Sequence, residues 1–366
     1  MSSPLIVYDT ATPQFQENRI FDHQYAARFP GALIWAYLSD RVQQRGWQIM
    51  TADVYLRILP KSSQTICISE MVTPYTRRLI EHQAITALVS SGESPNVAWR
   101  FYHNLQRYTR HYRHAILFRG ASTRVKPPTQ FHPLYWPNVS RKPISGPEWN
   151  KRRYVVTVAS NKQRFVVSTQ QPLVQMRRLF KRMLWGYLQL TDPFFRFQDL
   201  YQVRLSAIRY FAGDADFRLF GTGWEQPNGL PGDMWQVVRR LNPTPVSDKL
   251  DAMSGFKFAL CFENCVFPGY VTEKIFDCFL AGCIPIYFGA PDIADFVPAE
   301  AFIDFRQFRG FAELDQYLHQ LPGASAQYYL QAARSFMASA AFDKFTVNNT
   351  VTQLMGIIEQ EVQSAP

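Results

Sequence analysis

Polar side chains stand between two apolar segments in FENCVFPGYVTEKIFDCFLAGCIPIYFGAP, residues 262–291. The apolar run that leads into them, FKFALCF (256–262), is typical of a strand buried on both faces. Glu263 and Asn264 are therefore expected at the carboxyl end of that strand, with a helix beginning at TEKIFDCFLAG (272–282). Ligands of open α/β sheets bind beyond the carboxyl ends of the strands, so we expect a binding site here.

The predicted helix begins with an acid and a base, Glu273 and Lys274. A helix N-terminus is a natural anion site, because its first N–H groups are unpaired and the helix dipole favours negative charge. A lysine in the first turn opposes that preference, and a bound phosphate would explain it, while Glu273 suits sugar or ribose hydroxyls. An ordinary surface Glu–Lys pair is the alternative. We favour the site because Glu263, Asn264 and Tyr270 are expected at the same edge.

Helix-like and strand-like segments alternate along both halves of the chain, which is typical of parallel sheets covered by helices. Residues 119–153 are rich in Pro, Gly, Ser and positive charge, and we interpret them as a linker and cleft wall. The sequence predicts an α/β protein with an N-terminal domain (1–150), a C-terminal domain (151–340) and a helical segment (341–366). The first-half segments are helices at 31–46 and 75–83, one basic helix at 99–114, and strands at 47–55, 64–71, 84–92 and 115–118.

The composition favours a folded protein with anionic partners. Of 366 residues 47% are hydrophobic, and the net charge is +10. A basic surface suits nucleic acid, anionic membranes or phosphorylated small molecules. We find no apolar run long enough to span a membrane and no signal peptide. We therefore expect a cytoplasmic protein with weak peripheral contact to the inner face of the membrane through its basic surface.

Several other residues could bind a ligand or a metal, but for each of them a structural role is the commoner case. The basic aromatic stretch at 99–114 suits nucleic acid or a membrane, but a helix with one packed and one solvated face is the commoner case. Trp99, Tyr135 and Trp136 suit sugar stacking, although buried aromatic residues are more frequent. The cysteines, Cys67, Cys261, Cys265, Cys278 and Cys283, are expected to be buried thiols. Asp214 and Asp216 have the spacing of a metal-binding pair but precede a strand, so we expect no metal site.

One long block carries a family resemblance. YVTEKIFDCFLAGCIPIYFGAPDIADFVPAEAFIDF (270–305), with FKFALCFEN before it, resembles glycosyltransferase family 10, the α-1,3/4-fucosyltransferases. Upstream pieces resemble the family in the same order: SNK (160–162), LYQVRLSAIRYF (200–211) and FRLFGTGW (217–224). The resemblance implies the GT-B fold, two Rossmann-like domains facing across a cleft. It also implies transfer of fucose from GDP-fucose to a glycan hydroxyl with inversion, without a metal or other cofactor.

The resemblance also implies roles for individual residues. Arg204 and Lys274 would bind the pyrophosphate, and Tyr270, Asn264 and Glu273 would hold the ribose and the fucose. Glu263 and Asn161 carry over as further donor-site residues. The family's base is a glutamate of the N-terminal domain, and SSGESPNV (90–97) places Glu93 after a predicted strand. Glu70 is the second candidate for the base and His103 the third.

Three rival functions are compatible with the sequence. The chain could be a GT-B transferase that uses another nucleotide sugar, a basic nucleic-acid-binding protein, or a catalytically inactive lectin-like relative. The sequence leaves the acceptor glycan, the linkage and the oligomeric state open.

Overall fold

The computed structural model describes residues 3–29, 31–138, 141–161, 172–227 and 230–364. The chain divides into two compact units. Unit 1 contains Met1–Ser140, Pro268–Thr272 and Ala340–Pro366, and unit 2 contains Arg141–Phe267 and Glu273–Ser339. Each unit is built on its own parallel sheet, and elements are numbered along the chain.

Unit 1 has a parallel sheet in the order β2-β1-β3-β4-β5-β6. Its strand β1 is wholly buried and carries no charged residue before the last, Asp9, as expected for a strand covered by helices on both faces. The ring of Tyr8 on that strand stacks on Trp35 with centroids 3.8 Å apart. The strands are β1 Leu5–Asp9, β2 Gln48–Thr51, β3 Thr65–Glu70, β4 Ile85–Ser90, β5 His114–Leu117 and β6 Gln130–Pro133. The helices are α1 His23–Ala26, α2 Leu33–Gln44, α3 Ala52–Ile58, α4 Pro74–Glu81, α5 Trp99–His103, α6 Leu105–Thr109 and the C-terminal α14 Val347–Gln363, which packs on α2.

Unit 2 has a parallel sheet in the order β11-β10-β9-β7-β8. The strands are β7 Arg153–Val158, β8 Arg218–Phe220, β9 Phe256–Phe262, β10 Ile284–Phe288 and β11 Ile303–Asp304. The helices are α7 Pro172–Thr191, α8 Tyr201–Phe211, α9 Gly232–Leu241, α10 Lys249–Ser254, α11 Glu273–Ala281, α12 Phe311–Gln320 and α13 Gly323–Met337. Strand β10 is buried along its whole length, and β9 at all but one of its positions.

Each sheet has one point at which the strand order reverses. In unit 1 the reversal lies between β1 and β3, and in unit 2 between β7 and β9. Such switch points, at the carboxyl ends of the strands, are where open α/β sheets bind ligands. The fold therefore indicates two candidate ligand-binding edges, one in each unit.

The structure corrects three predicted elements. The strand predicted at 47–55 ends at Thr51, because Ala52, Tyr55 and Leu56 have helical spacing and bury one face of α3. The helix predicted at 99–114 is two short helices, α5 and α6, followed by the start of β5. The predicted linker contains β6, an edge strand that ends in Pro133, and edge strands tolerate proline.

Candidate functional site

Glu263 lies immediately after β9, at the switch point of unit 2. Its side chain has no exposed surface, and its backbone N–H donates to the Phe288 carbonyl at 2.8 Å. A carboxylate removed from water must be paired or hydrogen-bonded, since its desolvation is otherwise costly. The carboxylate therefore needs a partner at this edge.

Lys274, in the first turn of α11, is that partner. Its Nζ donates to Glu263 Oε2 at 2.8 Å, and Glu273 Oε1 lies 3.8 Å from the same Nζ. The lysine side chain is 24% exposed and that of Glu273 33%, so both reach the surface of this edge. The placement of Lys274, which in the sequence indicated a phosphate, is thus explained within the protein by a buried carboxylate. The lysine alone does not identify an anion.

Gly289 closes the space behind Glu263. A Cβ on this glycine would lie 2.5 Å from Glu263 Cγ and 2.5 Å from Tyr287 Oη. The Tyr287 hydroxyl accepts a hydrogen bond from the Ala290 N–H at 2.9 Å. Burial raises the pKa of Tyr287 well above its usual range, and the nearby Glu263 adds to this, so the phenol stays neutral. The position of the Glu263 carboxylate therefore depends on a residue without a side chain at 289.

We predict that Gly289→Ala destabilises the protein by about 1–3 kcal/mol, because both close neighbours are buried and must shift. Urea unfolding followed by fluorescence measures this loss. Gly232→Ala is the control, since a Cβ on this helical glycine would meet nothing within 4 Å. Equal stabilities for the Gly289 variant and the original protein would contradict the tight packing around Glu263.

Arg204 on α8 binds the main chain at the end of β9. Its Nη2 donates to the carbonyl of Phe262 at 2.9 Å and to that of Glu263 at 3.1 Å. The carbonyl of the next residue, Asn264, accepts from the Leu200 N–H at 3.1 Å, just before the same helix begins. Helix α8 thus places a guanidinium group beside Glu263 and Asn264.

Asn161 lies three residues after β7, on the other side of the same switch point. Its amide Nδ2 donates to the Gly223 carbonyl at 2.9 Å, and its Oδ1 accepts from the Tyr201 hydroxyl. Gly223 has a φ of +82°, a conformation that favours glycine. Tyr201 begins α8, about one turn before Arg204, so this helix links the two predicted donor-site positions. Lys162, the last residue of the SNK segment, lies outside the described residues.

Tyr270 falls in the short segment Pro268–Thr272, which belongs to unit 1. Its ring is buried and meets Phe118 edge to face, with centroids 4.8 Å apart. Gly269 before it has a φ of +72°, and a Cβ there would lie 2.7 Å from the Arg119 Cβ. This segment is therefore fixed by packing against residues just after β5.

The edge of unit 1 carries two carboxylates at neighbouring strand ends. Glu70 ends β3, and its Oε2 accepts from the hydroxyls of Tyr8 at 3.1 Å and Thr10 at 3.3 Å. Burial, with a smaller contribution from the charge of Glu93, raises the pKa of Glu70 above its ordinary value. Glu93 is exposed, in the loop after β4, and its carbonyl accepts from the Tyr102 hydroxyl at 3.0 Å. The two candidates for the base thus lie in different environments.

A cavity of about 130 Å³ within unit 1 is lined by Glu70 and by Gly92, the residue before Glu93. Glu70, Trp35 and Trp136 contribute to its largely apolar wall. The Trp136 indole lies so close to Gly92 that a Cβ there would be 2.9 Å from it. An aromatic wall beside a carboxylate suits a sugar, because a sugar has an apolar ring face that packs on the aromatic ring and hydroxyl groups that donate to the carboxylate. The third candidate for the base, His103, is exposed at the end of α5.

The five cysteines and the Asp214–Asp216 pair lie in surroundings that indicate roles in packing and in a turn. The five cysteines are buried thiols, as predicted, and burial raises the pKa of the Cys67 and Cys283 thiols to about 12, which makes them poor nucleophiles. Asp214 accepts from the Asp216 N–H at 2.6 Å in a turn before β8. Among the described residues, no three His, Cys, Asp or Glu side chains are grouped to hold a metal.

Sequence reasoning missed three residues that shape these edges. Tyr201 lies within LYQVRLSAIRYF, and only its spacing of three from Arg204 hinted at a shared role. Gly289 gave no signal beyond the end of an apolar run. Asp9 is the last residue of β1, and Glu263 directly follows β9. The rule that ligands bind at the carboxyl ends of the strands would therefore have pointed to Asp9 as well. The Asp9 carboxylate accepts from the hydroxyls of Thr73 at 2.5 Å and Thr76 at 2.6 Å, which ties it to the start of α4.

Comparison with known proteins identifies the segment that holds the unit 2 edge. Residues 228–349, about a third of the chain, match the family model "Glycosyltransferase family 10 (fucosyltransferase) C-term". An alpha-(1,4)-fucosyltransferase of Arabidopsis thaliana is 43% identical over 81 residues, 21% of this chain and 20% of that protein. An alpha-(1,3)-fucosyltransferase of Helicobacter pylori is 44% identical over 85 residues, 23% of this chain and 18% of that protein. The matched stretches thus span about a fifth of these relatives. The resemblance to glycosyltransferase family 10 is confirmed in this segment.

Solved structures extend the comparison to the whole chain. The match to a crystal structure of an alpha1,3-fucosyltransferase covers 98% of this chain and 90% of that chain, with a TM-score of 0.50 and 16% identity. The Anabaena protein HepE in complex with UDP and glucose covers 98% of this chain and 100% of its own, with a TM-score of 0.56 and 10% identity. At such identities the likeness concerns the fold alone. The predicted class, α/β with the two Rossmann-like domains of GT-B transferases, is confirmed.

Proposed function

We propose, with the glycosyltransferase family 10 segment at residues 228–349 as the premise, that the chain is an inverting fucosyltransferase. It transfers L-fucose from GDP-fucose to a hydroxyl of a glycan acceptor, in α-1,3 or α-1,4 linkage. The observation that carries the proposal is the position of Glu263 and Lys274. They belong to the matched segment and lie at the switch point of a parallel sheet, where the fold class binds its ligands.

The donor nucleotide is proposed to bind at the unit 2 edge. Arg204 and Lys274 supply cations at the carboxyl end of β9, and the N-terminus of α11 adds the positive end of its dipole. Glu263 holds Lys274 in place, so the lysine is oriented before the donor arrives. No metal or other cofactor is required, because the side-chain cations stabilise the departing GDP. Asn264 and Glu273 are proposed to bind the ribose and the fucose through hydroxyl hydrogen bonds, and Asn161 is proposed as a further donor-site residue. The resemblance implies a ribose or fucose contact for Tyr270 as well, which belongs to unit 1.

Glu93 is proposed as the base. The acceptor O–H proton passes to the Glu93 carboxylate while the acceptor oxygen bonds to the anomeric carbon of fucose. The bond from that carbon to the phosphate oxygen breaks, and its electron pair leaves with GDP. Glu93 suits this task better than Glu70, because it is exposed to an arriving acceptor. Glu70 is instead only partly exposed, and its Oε2 already accepts from the Tyr8 and Thr10 hydroxyls, so it is less accessible to an acceptor hydroxyl.

The acceptor is proposed to be a glycan, with Trp136 and the adjoining cavity of unit 1 as its contact surface. Nucleic acid is not proposed as a partner, although the net charge of +10 is compatible with one. The protein is proposed to be cytoplasmic, in weak contact with the inner face of the membrane.

A donor-specific thermal shift tests the proposal. We expect GDP and GDP-fucose to raise the melting temperature, with about 2.7 kcal/mol of stabilisation at a ligand concentration about 100 times Kd. UDP-glucose should have no effect at the same concentration. Stabilisation by a UDP-sugar instead of GDP would favour the rival transferase. Absence of both shifts, with salt-dependent binding of DNA, would favour the nucleic-acid-binding rival.

A further inference from the structure

Helix α7 of unit 2 has apolar side chains on two sides. Trp185 and Leu188 are buried, and Trp185 packs on Phe195 and Phe197 with centroids 5.6 and 5.9 Å apart. These contacts attach the helix to its own unit through its C-terminal half. The opposite side of the helix is not needed for this attachment.

That opposite side is an exposed apolar stripe, here named the α7 face. Its residues follow one another at spacings of one, three or four, and on a helical projection they fall on one side of the helix. Their exposed fractions run from 49% to 77%, whereas the exposed apolar residues of soluble proteins are usually scattered singly. The α7 face consists of Met176, Leu179, Phe180, Met183, Tyr187 and Leu190.

The same helix is strongly basic. Its sequence, PLVQMRRLFKRMLWGYLQLT, contains one Arg–Arg pair at 177–178, one Lys–Arg pair at 181–182, and no acid. Lys181 and Arg182 are both exposed. On the helical projection Arg182 flanks the α7 face next to Leu179, and its long stem allows the charge to reach a surface on which the stripe lies, whereas Lys181 falls on the side of Leu188. An apolar stripe on a helix with several cations and no anions is the pattern of helices that lie in the interface of anionic membranes.

We propose that the α7 face docks unit 2 on an anionic lipid bilayer, with the helix lying in the plane of the interface. The stripe enters the boundary between headgroups and acyl chains, while Arg182 contacts lipid phosphates and Lys181 adds to the positive charge of the helix. Charge complementarity selects this occupant. A second copy of the chain would bring two sets of like charges together, and a nucleic acid offers nothing to cover six apolar side chains. Among the described residues no helix is apolar and long enough to cross a membrane, so the contact is peripheral.

Helix α7 is a different location from the basic aromatic stretch at 99–114, where the sequence alone suggested a membrane contact. Trp99, Phe101 and Tyr102 of that stretch are buried in unit 1. The stretch therefore offers cations without a comparable apolar face, whereas α7 offers both.

Co-sedimentation of the whole chain with vesicles tests the proposal. We expect at least about tenfold stronger partitioning into phosphatidylcholine vesicles with about 30% phosphatidylglycerol than into phosphatidylcholine alone. The difference should shrink as salt screens the cations. Phe180→Ser combined with Met183→Ser should weaken binding to the anionic vesicles by about tenfold or more, since it removes two inserted side chains. Lys181→Gln combined with Arg182→Gln should weaken binding to anionic vesicles only.

Tyr328→Ser is the matched control. Tyr328 is 62% exposed on α13, close to the 63% of Phe180, so its replacement removes a similar exposed aromatic surface elsewhere. This variant should bind vesicles as the original protein does, and all variants should keep the same melting temperature. Equal binding to neutral and anionic vesicles would overturn the proposal, as would unchanged binding by the Phe180/Met183 variant. A dimer in sedimentation equilibrium that this double variant converts to a monomer would show that the α7 face binds a second copy instead. None of these readouts depends on transferase activity.

Discussion

Glu93→Gln is expected to lower kcat for fucosyl transfer by about 10²–10⁴-fold, because the amide cannot accept the proton of the acceptor hydroxyl. Binding of GDP should be unchanged, since the proposed phosphate ligands lie in unit 2 and Glu93 in unit 1. The loss should appear in kcat and kcat/KM alike, as expected for an interaction made in the transition state. Steady-state assays with GDP-fucose and a glycan acceptor, with the GDP-induced thermal shift alongside, measure both parts.

Glu70→Gln is the matched control at the neighbouring strand end. Glutamine retains an oxygen for the Tyr8 and Thr10 hydroxyls, so the fold should tolerate the change. Most of the turnover should remain, because the Glu70 carboxylate is occupied by the two hydroxyls and is less accessible to an acceptor than Glu93. The opposite pattern, an active Glu93 variant and an inactive Glu70 variant, would assign the base to Glu70. An original protein that binds GDP and glycan without any turnover would support the lectin-like alternative.

The strand–helix–strand core of unit 2 was predictable because long apolar runs end in abrupt polar residues. FKFALCF becomes β9, TEKIFDCFLAG becomes α11 from its second residue, and IPIYF becomes β10. The same pattern placed Glu263 and Asn264 at the carboxyl edge. Sheet order was not contained in these local patterns, since it depends on which strands pair over long distances. The switch point between β7 and β9, which brings Asn161 to the same end of the sheet as Glu263, therefore required the structure.

The partner of Lys274 could not be predicted either, for a physical reason. From the sequence, the helix dipole suggested an external anion as the partner of Lys274. In the structure the partner is Glu263, eleven residues earlier, at the end of β9. Only the turn between strand and helix decides whether such a carboxylate faces the helix or solvent. The exposed apolar stripe of α7 could not be predicted from the sequence for a similar reason. Apolar residues at helical spacing normally predict a core face, and the sequence does not show which of two apolar sides is covered.

Lys274→Met is expected to act on both stability and donor binding. The methionine removes the positive partner of Glu263, which has no exposed surface, and breaking a buried ion pair in this way typically costs about 3–5 kcal/mol. It also removes a proposed phosphate ligand, so GDP should no longer raise the melting temperature. Urea unfolding with and without GDP measures both effects.

Two further variants separate these effects. Glu263→Gln combined with Lys274→Met should recover much of the lost stability, because the buried carboxylate is removed together with its partner, yet it should still fail to respond to GDP. Lys249→Met breaks the pair between Lys249 Nζ, at the start of α10, and Asp277 Oδ2, on α11, which lie 2.7 Å apart. These side chains are 29% and 17% exposed, so water can reach the orphaned carboxylate, and the loss of stability should be smaller. This control should retain the full GDP response, since Asp277 lies about a turn further along α11 from its N-terminus. A GDP response that survives in both Lys274 variants would exclude the lysine from phosphate binding and leave it the structural partner of Glu263.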